Sequence, residues 1–76
     1  MDKIIYLNNT NEILVKGDIV EFNTHSGNVC IGKIDSVYAS NWIHIIVNGN
    51  RSTTVAVDMI SRVVTDEEAM VWKLRY

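Results

Sequence analysis

Apolar and polar residues along this chain change places every second position, in short runs broken by glycine and asparagine, and that period predicts strands rather than helices. Asp18 to Phe22 is one such run: Val20 and Phe22 fall on one face, Ile19 and Glu21 on the other, as in a half-buried strand. Lys16-Gly17 before it supplies a turn, preceded by the apolar run Ile13-Leu14-Val15. Further upstream, Ile4 to Leu7 is β-prone and is closed by the turn-tolerant cluster Asn8 to Asn11. Asn23 to Asn28 has no apolar member and reads as an exposed loop. A second strand is expected from about Val29 to Tyr38, with Gly32 as a bend or bulge that lets a long strand curl.

After a turn at Ala39-Ser40-Asn41, Trp42 to Val47 is the most strongly β-prone run of the chain. Asn48-Gly49 follows and predicts a type I′ hairpin, whose two central positions take positive φ. The returning strand runs from Arg51 to Val57, Asp58-Met59-Ile60 makes a tight turn, and Ser61 to Val64 is a last short strand. The end of the chain admits two readings, because Met70, Trp72, Leu74 and Tyr76 alternate like a strand while Thr65-Asp66-Glu67-Glu68 starts like a helix. A helix over about 66–74 is the better one. Thr65 and Glu68 form a capping box, with acidic residues in the first turn and Lys73 and Arg75 in the last. So short a helix needs docking, expected through some of Met70, Val71 and Leu74.

With 76 residues the chain is expected to be a single domain, 1–76, with a barrel over about 13–64. Nearly half of the residues are apolar, ample for a short chain, and there is no proline. Seven Lys and Arg against nine Asp and Glu leave a net charge of −2, which gives no long-range pull on a polyanion. The lone Cys30 cannot form an internal disulfide, which fits a reducing cytoplasm. No signal peptide or membrane span is expected, since apolar stretches fall far short of about twenty residues. The sequons at Asn8-Asn9-Thr10 and Asn50-Arg51-Ser52 then read as chance.

The order Gly17 to Phe22, a loop with Gly27, Gly32-Lys33-Ile34 through Val37, a hairpin, then Thr53-Thr54-Val55 through Ile60 and Val63 resembles SH3-like barrels. More narrowly, it is similar to the small YkvS-like proteins of Gram-positive bacteria and their phages, and in its first two strands to the KOW motif of ribosomal and elongation proteins. The resemblance covers about residues 15 to 64. The loop from Asn23 to Asn28 is more polar than a tight glycine turn, and the basic cluster of KOW domains is missing. The N-terminal segment and the C-terminal helix lie outside the match; what the resemblance implies is an SH3-like barrel first and a binding role by analogy, so the expected fold is mainly β, a small barrel of about five strands with a short C-terminal α-helix.

The residues themselves argue against catalysis. Asp35, Ser36 and His44 make a nominal hydrolytic set, but no strand-to-helix elbow presents a nucleophile. His25, His44 and Cys30 lack the close paired spacing that preorganises zinc, and the four glycines sit at separate turns rather than in a phosphate loop. No catalytic residue, metal or cofactor is therefore expected. The surface singled out is Trp42, His44 and Ile46 on one side of their strand, opposite Arg51 and Thr53, with Lys33 and Tyr38 adjoining. Such a face suits capture of a peptide or stacking of bases. The plainer reading has Trp42 covering the barrel end or lying beneath the helix. Trp72 and Tyr76 pose the same choice between docking and an exposed edge. Because Ile43 to Val47 has no edge protection, it must be central, covered by the helix, or paired with a second subunit in a homo-oligomer. The expectation is a non-enzymatic cytoplasmic interaction module that binds a protein, the alternative being RNA or single-stranded DNA.

Overall fold

In a computed structural model, which describes residues 6–7, 13–39 and 42–75, the alternating runs become strands at nearly the expected positions. β1 (Tyr6–Leu7) and β2 (Ile13–Leu14) form a two-stranded antiparallel ribbon. β3 (Ile19–Asn23), β4 (Val29–Ala39), β5 (Trp42–Asn48), β6 (Arg51–Ala56) and β7 (Ile60–Val63) form one antiparallel sheet in the order β6-β5-β4-β3-β7. Four strands follow one another as a meander. The fifth crosses back to the first after a single 3-10 turn at Val57–Met59, where the Asp58 turn was expected. A helix, α1 (Asp66–Arg75), ends the described chain. The protein is therefore mainly β, with a short C-terminal helix. Ser40, Asn41, the Asn8 to Asn11 cluster and Tyr76 lie outside the described residues.

Phe22, Leu14, Val20, Ile34, Ile43, Ile45, Val55 and Ile60 make one fully buried cluster, drawn from every strand of the sheet and from β2. Burial on that scale is the main source of stability here. Ile19 departs from the simple alternation: it is buried too, and its carbonyl accepts the Val64 N–H at 3.0 Å, with Val64 itself buried. β3 therefore hides more than the one face that period two assigns to it.

A closed barrel was expected, but β6 and β7 end the strand order and no ladder joins them, so the described sheet is open. β7 is four residues long and commits its ladder to β3, pairing Val20 with Val63 and Glu21 with Arg62. The β5 run is central, flanked by β4 and β6, which satisfies its need for cover without a second subunit.

The turns explain themselves locally. The Asp18 N–H donates to the Val15 carbonyl at 3.0 Å around Gly17, whose φ of 95° only glycine adopts cheaply, and the Asp18 carboxylate accepts the Val15 N–H at 2.9 Å. The loop after β3 is tighter than its polarity suggested. Thr24 and Asn28 close it through both backbone and hydroxyl bonds.

Two details correct the expectations for β4 and β5. Gly32 is no bulge, since it pairs in regular register with Val20. It is glycine because a Cβ there would stand 2.5 Å from Ile45 Cγ2 and 2.9 Å from the Ile46 carbonyl oxygen. The irregularities of β4 lie later, between Ile34 and Ser36 and between Val37 and Ala39. The hairpin after β5 turns one residue beyond the expected pair, on Gly49 and Asn50, with Asn48 paired to Arg51. The Asn48 side chain accepts the Asn50 N–H at 3.0 Å, and an irregularity between Ile46 and Asn48 absorbs the offset.

The expected docking of α1 is also corrected. Met70, Val71 and Leu74 are 64%, 53% and 83% exposed, and no residue of the helix is buried. Trp72 docks instead, as one of the two readings had it, and it does so by hydrogen bonds rather than by burying an apolar stripe. No helix of the described residues is long and apolar enough to cross a membrane.

Candidate functional site

β5 positions the outer face. Its inward residues Ile43 and Ile45 are buried, which turns Trp42, His44 and Ile46 to the opposite side. Register then selects their neighbours: Ile46 lies between Lys33 and Ser52, and His44 between Ser36 and Thr54. Thr53, expected on this face, is paired with buried Ile45 and belongs to the other. Arg51 stands opposite Asn48 at the hairpin end. It nonetheless lines a shallow cleft of about 300 Å³ together with His44, Ile46, Asp35 and Ser52. Lys33 is exposed in the same row as Ile46. Position 38 lies within the second irregular step of β4, and the Tyr38 side chain falls outside the described residues.

Trp42 is 40% exposed, and its ring lies 6.5 Å from that of His25 at a tilt of 37°. The β3–β4 loop therefore shelters one side of the indole. The sheet also brings Asp35, Ser36 and His44 close together, but not as a relay. Ser36 donates to Asp35 at a long 3.5 Å, and His44 Nδ1 lies 3.4 Å from the Thr54 hydroxyl. The Ser36 hydroxyl therefore turns to Asp35 and not to His44, so the serine–imidazole contact of a catalytic triad is not made. Among the described residues no three His, Cys, Asp or Glu side chains cluster as metal ligands.

A second constellation was not foreseen. Arg62 on β7 bridges Glu21 on β3 at 3.1 Å and grips both oxygens of Glu68 on α1, at 3.0 and 2.8 Å. This two-pronged geometry is the strong form of a guanidinium–carboxylate pair. The Arg62 hydrogen bond, aided by Thr65, holds the Glu68 carboxyl down to about 2, against partial desolvation that raises it. The Glu68 hydrogen bond likewise raises the Arg62 pKa. The capping box is present, with the Glu68 N–H donating to Thr65 Oγ1 at 3.2 Å and the Thr65 hydroxyl donating to the carboxylate at 3.1 Å. The cross-strand neighbour Glu21 becomes visible only once β3 and β7 are known to be paired.

The Trp72 indole N–H is shared between the carbonyls of Ile31 on β4 and Val47 on β5, at 3.1 and 3.2 Å. A cleft of about 330 Å³ lies there between α1 and the sheet, walled by Cys30, Ile31, Val47, Val71 and Trp72. Cys30 and Val47 also wall a neighbouring cleft of about 280 Å³ that reaches Arg51, Ser52 and Thr53 at the start of β6. β6 itself is a sheet edge: it pairs with β5 and, among the described residues, with no other strand.

Set against protein-family models, curated proteins and solved structures, the chain finds no match in any of the three comparisons.

Proposed function

We propose that this chain is a non-enzymatic interaction module that takes an extended segment of a protein partner as an added strand along β6. The observation that carries the reading is the open edge. Six consecutive residues from Arg51 to Ala56 offer one side of their backbone with no lysine or proline to discourage pairing, and the one irregularity of their ladder with β5 lies at the hairpin end, between Ile46 and Asn48. Added strands draw affinity from main-chain hydrogen bonds and specificity from pockets for alternate side chains. The 280 Å³ cleft at Arg51 to Thr53 lies where such a pocket is needed. The meander with a fifth strand returned to the first supports an SH3-like reading, and a cytoplasmic place is part of the same proposal.

The nucleic-acid alternative rests on Trp42, His44, Lys33 and Arg51, and two observations weigh against it. One side of Trp42 is taken by His25, and a net charge of −2 supplies little counterion release. Self-association would use the same β6 edge, and sedimentation at micromolar concentration separates a dimer from the 8.6 kDa chain.

The test is affinity purification with the tagged chain, before and after nuclease treatment, repeated with Thr53→Pro and Thr54→Pro. Successive residues of an edge strand point their N–H groups to opposite sides, so one of these prolines removes an inward ladder bond and the other an outward one. The folded variant that lacks the outward N–H is expected to lose a nuclease-resistant partner. Retention of the partner by that variant rules out strand addition, and loss of all binding on nuclease treatment favours nucleic acid.

A further inference from the structure

We propose that α1 is a releasable strap: the Arg62–Glu68 clamp and Trp72 hold it beside the Cys30, Ile31 and Val47 groove, and it lifts while the sheet stays folded.

The core contains no helix residue. Its buried members come from β2 to β7, and the partly buried side chains packed on them are Cys30, Val47, Val57, Met59 and Val63. Met70 and Leu74 are exposed, and the apolar contact that lifting α1 removes is confined to half-buried Trp72 and to Val71 at the cleft. A ten-residue helix is marginal alone in water, so its position depends on what ties it down. Hydrogen bonds at two places among the described residues contribute to this. Near the start, the Arg62 fork holds Glu68 while its other contact anchors it to Glu21 on β3. One turn further on, the Trp72 N–H spans the carbonyls of Ile31 and Val47. Both are exchangeable with water, so each contributes only the small net difference between protein and solvent hydrogen bonds. Segments held in this way open well below the free energy of global unfolding.

Opening has a structural consequence. The cleft beside α1 and the cleft at the start of β6 share Cys30 and Val47 as walls. With the strap lifted, the two join into one trough along the sheet, from the Ile31 carbonyl to Thr53. The strap does not require the strand-addition reading, and its test does not use a partner.

Cys30 is the only cysteine, is half-buried and walls the cleft beside α1, so lifting the helix exposes its thiol further and raises its rate of modification. The experiment follows modification by an aromatic disulfide reagent at neutral pH in the wild-type chain, Trp72→Phe and Arg62→Gln, with far-UV circular dichroism to verify the sheet. Trp72→Phe is expected to label about five times faster, the effect of one net hydrogen bond, and Arg62→Gln is also expected to label faster. Added salt is expected to speed labelling of the wild type but not of Arg62→Gln, because only the former has an ion pair to screen. In urea, the wild-type labelling rate is expected to rise less steeply than global unfolding. Equal rates in all three chains, or a wild-type urea dependence as steep as that of unfolding, overturns the strap. The urea and salt measurements need no variant and decide the matter even if a variant fails to fold.

Discussion

Gly32→Ala tests whether the sheet coils as tightly as described. A Cβ at this position would meet Ile45 Cγ2 at 2.5 Å, the Ile46 carbonyl oxygen at 2.9 Å and Phe22 Cε1 at 3.3 Å. The first could yield by a rotamer change, but Ile45 is fully buried and has little room to turn. The second is backbone of the neighbouring strand, so relief requires β4 and β5 to part. Overpacking of this kind costs about 3 kcal/mol at the upper end of its usual range. Against it stands a gain of about 0.5 to 1 kcal/mol, because alanine has less freedom to lose in a strand than glycine. The clash wins by about 2 kcal/mol. With a urea slope of about 1 kcal/mol per molar for so small a protein, the unfolding midpoint falls by about 2 M at unchanged slope. Urea titration followed by far-UV circular dichroism measures it. An unchanged or higher midpoint would refute the close approach of β3, β4 and β5 over this residue, since propensity alone predicts stabilisation.

Acid should release α1. The Glu68 pKa is lowered in the folded chain to about 2 from the usual 4.5, chiefly by the Arg62 hydrogen bond, so the stabilisation it gives is present above about pH 4.5 and is lost as pH falls toward 2. Arg62 stays charged throughout, and Glu21 and Thr65 are the other groups at the clamp. Trp72 fluorescence in a Trp42→Phe background should report the release between pH 5 and 2, and the transition should be absent in Glu68→Gln; the same transition in both would show that Glu68 does not hold the helix. Phe22→Ala removes the largest fully buried side chain and should cost about 3 to 5 kcal/mol in thermal or urea unfolding, enough to leave so small a domain largely unfolded.

Much of the fold was legible because period two assigns faces without any knowledge of partners. Alternation alone put Val20 and Phe22 on one face and separated Ile43 and Ile45 from Trp42, His44 and Ile46, and the Thr65 to Glu68 signal located the helix start. What alternation cannot supply is register. The hairpin after β5 turned on Gly49-Asn50 because the ladder, not the Asn-Gly dipeptide, set its frame, and Thr53 fell on the inner side for the same reason. Gly32 suggested a bend where the cause was a neighbour's side chain crossing over it. The helix was harder still. Met70, Val71 and Leu74 looked like its docking stripe, yet the anchor is the Trp72 N–H on two main-chain carbonyls, which leave no mark in a sequence. Of the candidate site, Trp42, His44 and Ile46 were found by spacing, whereas the β6 edge became visible only from the strand order.

The account depends most on β6 being an open edge, and residue-by-residue amide hydrogen exchange of the isolated chain tests this directly. β5 should be slow throughout, while in Arg51 to Ala56 alternate amides, those facing away from β5, should exchange rapidly. Uniform slow exchange along β6 at low micromolar concentration would mean that the edge is already covered and would contradict the proposed mode of binding.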